Sequence, residues 1–244
     1  MKGLIPAAGK GKRLEPITLA IPKELLMIGD KAVIEYVIDA MRVVGITDIT
    51  IVVGWRKNAL LDYLGSGQRL GVRLTYVVQD KTDGLGKAVL TGERIVGKEP
   101  FFVVLGDDFF YPTTFLQDIL AFHTETNADA TIGVAEVTDP TRHGIIKPGK
   151  DQRVVDIVEK PAASQAPSRL GCCGIYIFTH PIFDALKKIQ PGVNNEYQLT
   201  DAIKILVDEG YKVYYKKIEG NHIDVGTLDD LRKANAFLFS HKKP

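Results

Sequence analysis

Excess charge of either sign is missing from this sequence: over 244 residues, 31 Lys and Arg stand against 30 Asp and Glu, a formal charge of +1. That balance argues against a broad basic surface for nucleic acid or membrane and leaves only local basic patches. Long hydrophobic runs are missing too. No stretch approaches the roughly 18 apolar residues of a membrane span. The opening MKGLIPAAGKG holds an apolar run too short for a secretory signal, so a cytoplasmic protein is expected. Cysteine is scarce, with only Cys172 and Cys173, side by side in LGCCGIYIF. Neighbours on a strand point to opposite faces, which argues against a disulfide between them and equally against a two-residue metal site. Both are read as reduced residues of the core or of the margin of a site. No repeat or low-complexity linker is found, nor any hexapeptide array that would mark an attached left-handed β-helix.

What is present is enough apolar content, 45% of residues, to bury a full core as one large α/β domain. Apolar, β-branched runs at 3–6, 49–53, 74–78 and 101–105 alternate with segments of helical period, a βαβ rhythm that implies a mostly parallel sheet. The first connecting helix is the clearest. In AVIEYVIDAM, Val33, Ile34, Val37, Ile38 and Met41 form the apolar stripe while Glu35 and Asp39 are expected to face out. Further helices are expected at 58–64, 87–95 and 114–124. Beyond about residue 127 the connections shorten, and strands at 130–137, 145–147, 154–158 and 170–178 point to antiparallel or mixed pairing. Helices at 181–189 and 198–209, a strand at 212–218 and a last helix at 228–239, N-capped by Thr227, complete the expected order.

The turn AAGKGKR, residues 7–13, follows the first strand directly, and ligands of parallel sheets bind at the carboxyl ends of strands. Gly9 and Gly11 allow close backbone approach, and successive N–H groups form an anion nest that Lys10, Lys12 and Arg13 reinforce. Two standard phosphate motifs are excluded. Leu14 stands where G-x-G-x-x-G needs its third glycine, and Arg13 follows Gly11-Lys12 where a Walker loop needs Ser or Thr. Taken alone, the loop is also readable as a tight turn with solvated lysines.

Its continuation, AAGKGKRLEPITLAIPKELLMIGDKAVIEYVI, resembles the sugar nucleotidyltransferases (nucleoside-diphosphate-sugar pyrophosphorylases), which open with G-x-G-T-R-L-x-P-x-T, then P-K-x-L-L and an apolar helix. Further landmarks recur in family order: QDKTDGLGKAV (79–89), VVLGDD (103–108), HGII (143–146), VEKP (158–161), NNEYQLTDAI (194–203) and IDVGT (223–227). The resemblance covers nearly the whole chain. It implies a Rossmann-like, mixed but mostly parallel sheet flanked by helices, the nucleotide-diphospho-sugar transferase fold, spanning 1–244 as one domain. Within it, about 1–110 would bind nucleotide, about 111–227 would bind sugar phosphate, and 228–240 would be a C-terminal helix.

By the same resemblance Asp107 and Asp224 are ligands of Mg²⁺, a hard cation that takes carboxylates together with substrate phosphates. Lys23 contacts the phosphates and Arg13 the departing pyrophosphate, so these four residues carry the catalysis. Ala8, Gly9, Gly11, Lys12, Arg13, Gln79, Gly84 and Asp107 form the nucleotide site. Gln79 and Gly84 serve the base, because an amide can both donate and accept and glycine permits close approach. Lys23, Gly144, Glu159 and Lys160 form the sugar-phosphate site; without the resemblance, Glu159-Lys160 reads as a plain turn. Asp108 has no assigned role, nor do Cys172 and Cys173. His143 and His222 are not needed as bases, because a phosphate monoester with a second pKa of about 6 is already ionised. The sequence departs from the pattern at Lys12 (usually Thr) and at Met27 and Ala32 (usually Pro).

The implied reaction joins a sugar 1-phosphate, foremost glucose 1-phosphate, to UTP or dTTP and releases pyrophosphate. IPKE and NNEYQLTDAI lean to the uridylyltransferases; DGL at 83–85, LGDD and DVGT lean to the thymidylyltransferases; UTP is narrowly favoured. No nucleic-acid or membrane partner is expected, and a homo-oligomer is compatible with the sequence. Two rivals are a non-catalytic sugar-nucleotide-binding regulatory homologue and a nicotinamide-dependent Rossmann enzyme, the latter lacking its fingerprint.

Overall fold

A computed structural model describes residues 1–241. Strand β1 (Lys2–Ala7) leads through the glycine loop and three short 3₁₀ turns into a small hairpin, β2 (Met27–Ile28) and β3 (Lys31–Ala32), and then helix α1 (Val33–Val43). Next come β4 (Asp48–Val53), α2 (Lys57–Leu64), β5 (Arg73–Val78), α3 (Leu85–Thr91), α4 (Glu93–Val96) and β6 (Phe101–Val104). Strand β1 pairs in parallel with both β4 and β6, and β4 with β5. The chain therefore builds outward on one side of β1 and then returns to its other side. The crevice beyond the carboxyl ends of β1 and β6 is the switch point where open α/β sheets place ligands.

The second half adds β7 (Asp108–Tyr111), α5 (Phe115–Thr126), β8 (Ala130–Glu136), β9 (Gly144–Pro148), β10 (Val154–Glu159), β11 (Leu170–Phe178), α6 (Pro181–Lys188), α7 (Leu199–Asp208), β12 (Val213–Lys217), β13 (Asn221–Asp224) and α8 (Leu228–His241). Strand β11 lies antiparallel to β6, β8 and β9, while β12 joins β8 in parallel, so one nine-stranded mixed sheet runs through the molecule. Residues alternate between its faces: Leu4, Val52 and Cys172 pack on one side, Ile5, Val53 and Cys173 on the other. The two thiols are free and buried on opposite faces. Among the described residues no helix is long and apolar enough to cross a membrane.

Four details differ from the sequence reading. The helix expected at 87–95 is two, α3 and α4, divided at Gly92, where a Cβ would come within 2.6 Å of Leu4. Glu35 is 4% exposed rather than facing out. Its carboxylate accepts from the Ala32 N–H (2.8 Å), the Tyr63 hydroxyl (2.9 Å) and Arg69 (2.7 Å), so burial costs it no hydrogen bonds. The β2–β3 hairpin was not foreseen. Nor was the ribbon of β7 and β13, which pairs Asp108 with Asp224 across more than a hundred residues of chain. The expected cap holds: the Asp230 N–H donates to the Thr227 hydroxyl at 3.2 Å.

A third apolar cluster, away from the main sheet, locks the site loops together. Leu14 of the glycine loop, Leu26 and Ile28 after Lys23, Phe109 of β7 and Val225 after β13 pack with Ala234 and Leu238 of α8. Asn235 of α8 adds two polar ties, accepting from the Gly29 N–H at 3.0 Å and donating to the Met27 carbonyl at 3.1 Å.

Candidate active site

A cleft of about 850 Å³ opens at the switch point, and each residue singled out from the sequence, from Ala8 to Asp224, lines it. Its first wall is the glycine loop. Gly11 is left-handed (φ 64°), and a Cβ there would sit 2.8 Å from Thr18, whose hydroxyl donates to the Gly11 carbonyl at 2.9 Å. With Leu14 buried as the anchor, Gly9, Lys10, Lys12 and Arg13 remain exposed to whatever enters. Arg13 reaches across to the IDVGT loop: a Cβ on Gly226 would lie 2.6 Å from its guanidinium.

The floor is charged. Pro22 is extended (φ −65°, ψ 147°) and hands the chain to a 3₁₀ turn, Lys23–Leu25, that turns Lys23 inward. Its ammonium is ion-paired with Asp107. Burial alone would lower the Lys23 pKa, but Asp107, Glu24 and Asp224 around it raise it well above the usual lysine range, so the charge is fixed. Asp107 leaves the end of β6, and its carbonyl accepts from the Val225 N–H at 3.0 Å, which brings the two halves of the chain together at this point. Burial first, and then the Asp107 charge, raise the Asp224 pKa, while Lys23 and Arg13 oppose the rise.

Two further carboxyls were not assigned from the sequence. Asp108, 2% exposed, accepts from His222 Nε2 at 3.0 Å, and its other oxygen has no partner. Burial pushes its pKa to about 7 against the pull of His222. His222, stacked on Phe110 at 5.1 Å, is raised well above the ordinary histidine value: its desolvation is outweighed by Cys173 and Asp108. Glu24 is fully buried, with neither oxygen partnered. Burial raises its pKa to about 7, and Lys23 only partly offsets that. The one signal for Glu24 in the sequence was a charged residue set directly before the apolar Leu25-Leu26.

The Gln79 amide donates to the Asp83 carboxylate (3.0 Å) and the Gly84 carbonyl (3.3 Å), which leaves its carbonyl oxygen as an acceptor. Gly84 has φ 123°, and a Cβ there would meet Tyr197 backbone atoms at 2.5 and 2.6 Å. Packing against that loop therefore demands a glycine independently of any ligand. Thr200 of α7, a residue not singled out from the sequence, donates to Glu159 at 2.9 Å, and Lys160 sits 3.1 Å from the same carboxylate. Gly144 is close-packed here, because a Cβ would lie 2.4 Å from the Thr200 methyl. Lys160 adopts a left-handed conformation (φ 43°), and its N–H donates to the His143 carbonyl at 3.0 Å. Burial lowers the His143 pKa.

For a metal, the donor set at the floor is oxygen only: Asp107 and Asp224. Among the described residues no group of three or more His, Cys, Asp or Glu forms a cation cage. Two carboxylates facing a phosphate-type loop fit Mg²⁺, which keeps several waters and takes its other ligands from substrate phosphates.

A glycine loop and paired carboxylates at the switch point of a mixed sheet define a nucleotide-handling site. The chain belongs to the nucleotidyl transferase family, whose model matches residues 2–241, and it is a transferase of that class. It is 38% identical over 253 residues to the UTP–glucose-1-phosphate uridylyltransferase of Staphylococcus epidermidis, covering 92% of this chain and 87% of that one. Its fold matches that of a UDP-glucose pyrophosphorylase complexed with UDP-glucose at a TM-score of 0.92, with 32% identity and 99% of both chains covered. A Bacillus anthracis protein assigned as a glucose-1-phosphate thymidylyltransferase, in complex with a sucrose, gives a TM-score of 0.89 at 31% identity, with 100% of this chain and 97% of that one covered. The family, fold class and reaction class expected from the sequence hold.

Proposed function

We propose that this protein joins glucose 1-phosphate to UTP, giving UDP-glucose and pyrophosphate. The observation that carries the reading is the meeting of Lys23, Asp107 and Asp224 in a cleft that the glycine loop with Arg13 and the Glu159-Lys160 pair also line. The triphosphate lies against the backbone of 8–13 with Lys12 and Arg13 beside it. The Gln79 carbonyl accepts from the imide N–H that uracil and thymine share. Glu159, held by Thr200, accepts from sugar hydroxyls, and Lys160 takes the sugar phosphate.

An oxygen of glucose 1-phosphate attacks the α-phosphorus in line with the departing pyrophosphate, forming the new P–O bond as the α–β bridge breaks. Lys23 holds the α-phosphoryl oxygens and Arg13 the leaving group, so fixed positive charge faces the charge that shifts. Asp107 and Asp224 would hold Mg²⁺, which supplies charge neutralisation at the phosphates. No base is required, because the attacking phosphate is ionised at neutral pH. Of the two histidines, His222 is tied to Asp108 and His143 is held neutral by burial.

UTP leads over dTTP because the 38%-identical relative is a uridylyltransferase. The base contact proposed for Gln79 does not by itself separate the two. Direct displacement forms no nucleotidyl-enzyme. Labelled pyrophosphate is therefore expected not to exchange into UTP in the absence of glucose 1-phosphate. Exchange at a rate comparable to turnover would require a covalent intermediate and would contradict this mechanism.

A further inference from the structure

Glu24 follows the lysine that faces the reacting phosphates and belongs to the same 3₁₀ turn, Lys23–Leu25. It lines the cleft and is 0% exposed, and both of its oxygens are without a hydrogen-bond partner. Its stem is pinned beneath the residue preceding Asp107: a Cβ on Gly106 would approach Glu24 Cγ to 3.1 Å. Lys23, its nearest cation, is hydrogen-bonded to Asp107 instead. In its ionised form a buried carboxylate is acceptor-only, and leaving it unpaired is costly, so that form calls for donors.

The reacting groups offer few. Phosphates bring acceptors only, while the base belongs with Gln79 and the sugar hydroxyls with Glu159 in the function proposed above. Glu24 interacts electrostatically with Lys23 and Asp107. Water carried in by the cation is one source, beside the N–H groups of Lys23 that Asp107 does not use. Mg²⁺ bound by two carboxylates and a phosphate retains water ligands, and each of them presents O–H groups that need acceptors.

We propose that Glu24 is the outer-shell carboxylate of the cation site: it binds no metal directly but accepts hydrogen bonds from the water shell of the cation held by Asp107 and Asp224. This rests on the nucleotide site proposed above. Outer-shell partners of this kind orient the ligand set, and their loss weakens metal affinity by about 10- to 100-fold. Glu24 is thus a positioning residue, acting on the nucleotide only through the cation.

The test is UTP binding by calorimetry, without sugar phosphate, in EDTA and in Mn²⁺, for the wild type, Glu24→Gln and Glu24→Ala. The expected result is that the tightening of UTP binding by Mn²⁺ shrinks about 10- to 100-fold in Glu24→Ala, and less in Glu24→Gln, which keeps one acceptor oxygen. Metal-free UTP affinity is expected to hold or rise, because a negative charge leaves the phosphate site. The metal-free Tm of Glu24→Gln should equal or exceed that of the wild type, since the amide keeps the side chain's volume and removes an unpaired buried charge; Glu24→Ala opens a cavity, so its Tm does not enter the test. An unchanged Mn²⁺ effect would overturn the proposal. So would weaker metal-free UTP binding, which would place Glu24 on the nucleotide itself, or a lowered Tm of Glu24→Gln, which would mark a structural role. Wild-type protein that binds UTP in neither condition would overturn the nucleotide site, and this inference with it.

Discussion

Asp107→Asn is expected to reduce kcat for UDP-glucose formation by about 10³-fold or more, because several kcal/mol of charge stabilisation at the phosphates depends on holding the cation. The fold should survive the change. Removing one partner of a buried ion pair usually destabilises by about 3–5 kcal/mol, but Lys23 here also has the charges of Glu24 and Asp224 around it, and Asn keeps an acceptor oxygen. The check is steady-state turnover across a Mg²⁺ titration, with circular-dichroism melting alongside. A cation-binding role predicts a collapse of kcat with an intact melt; near-normal turnover at ordinary Mg²⁺ would remove Asp107 from the metal site.

Lys23→Ala ranks next, with kcat/KM expected to fall by about 10²–10³-fold, the loss typical of deleting one preorganised donor to a developing charge. The deletion also leaves Glu24, Asp107 and Asp224 without the cation they surround. Their mutual repulsion would then oppose the triphosphate, so KM for UTP should rise along with the fall in kcat. Lys23→Arg should not rescue, since a planar guanidinium does not replace a compact ammonium in this partly buried, ion-paired position. Unchanged turnover in Lys23→Ala would mean that this lysine touches no reacting phosphate and only neutralises Asp107.

The places of several candidate-site residues were legible before the structure from local pattern, while their roles came from the family resemblance. The βαβ rhythm, the glycine loop and the position of Asp107 after a buried strand are all short-range signals, read from period and composition. The closure of the site was not local. Asp224 meets Asp107 only because β13 pairs with β7, and DFFY after Gly106 looks from its own pattern like the tail of β6 rather than a separate strand. Likewise, Thr200 reaches Glu159 from α7, 41 residues further along the chain. Glu35 and Glu24 show the limit of reading charge as exposure. Both are buried, but Glu35 is matched by three donors and Glu24 by none, a contrast that no sequence pattern carries. Gly84 makes a complementary point: its glycine answers to Tyr197 behind it as well as to the cleft in front.

Transfer of a uridylyl group to glucose 1-phosphate is read out by pyrophosphate release. Purified protein would be given Mg²⁺ and UTP, dTTP, CTP, ATP or GTP in turn, each with and without glucose 1-phosphate. Release is expected with UTP, a lesser signal with dTTP, and release only when the sugar phosphate is present. Silence with UTP in the presence of glucose 1-phosphate, or release that does not depend on it, would contradict the account.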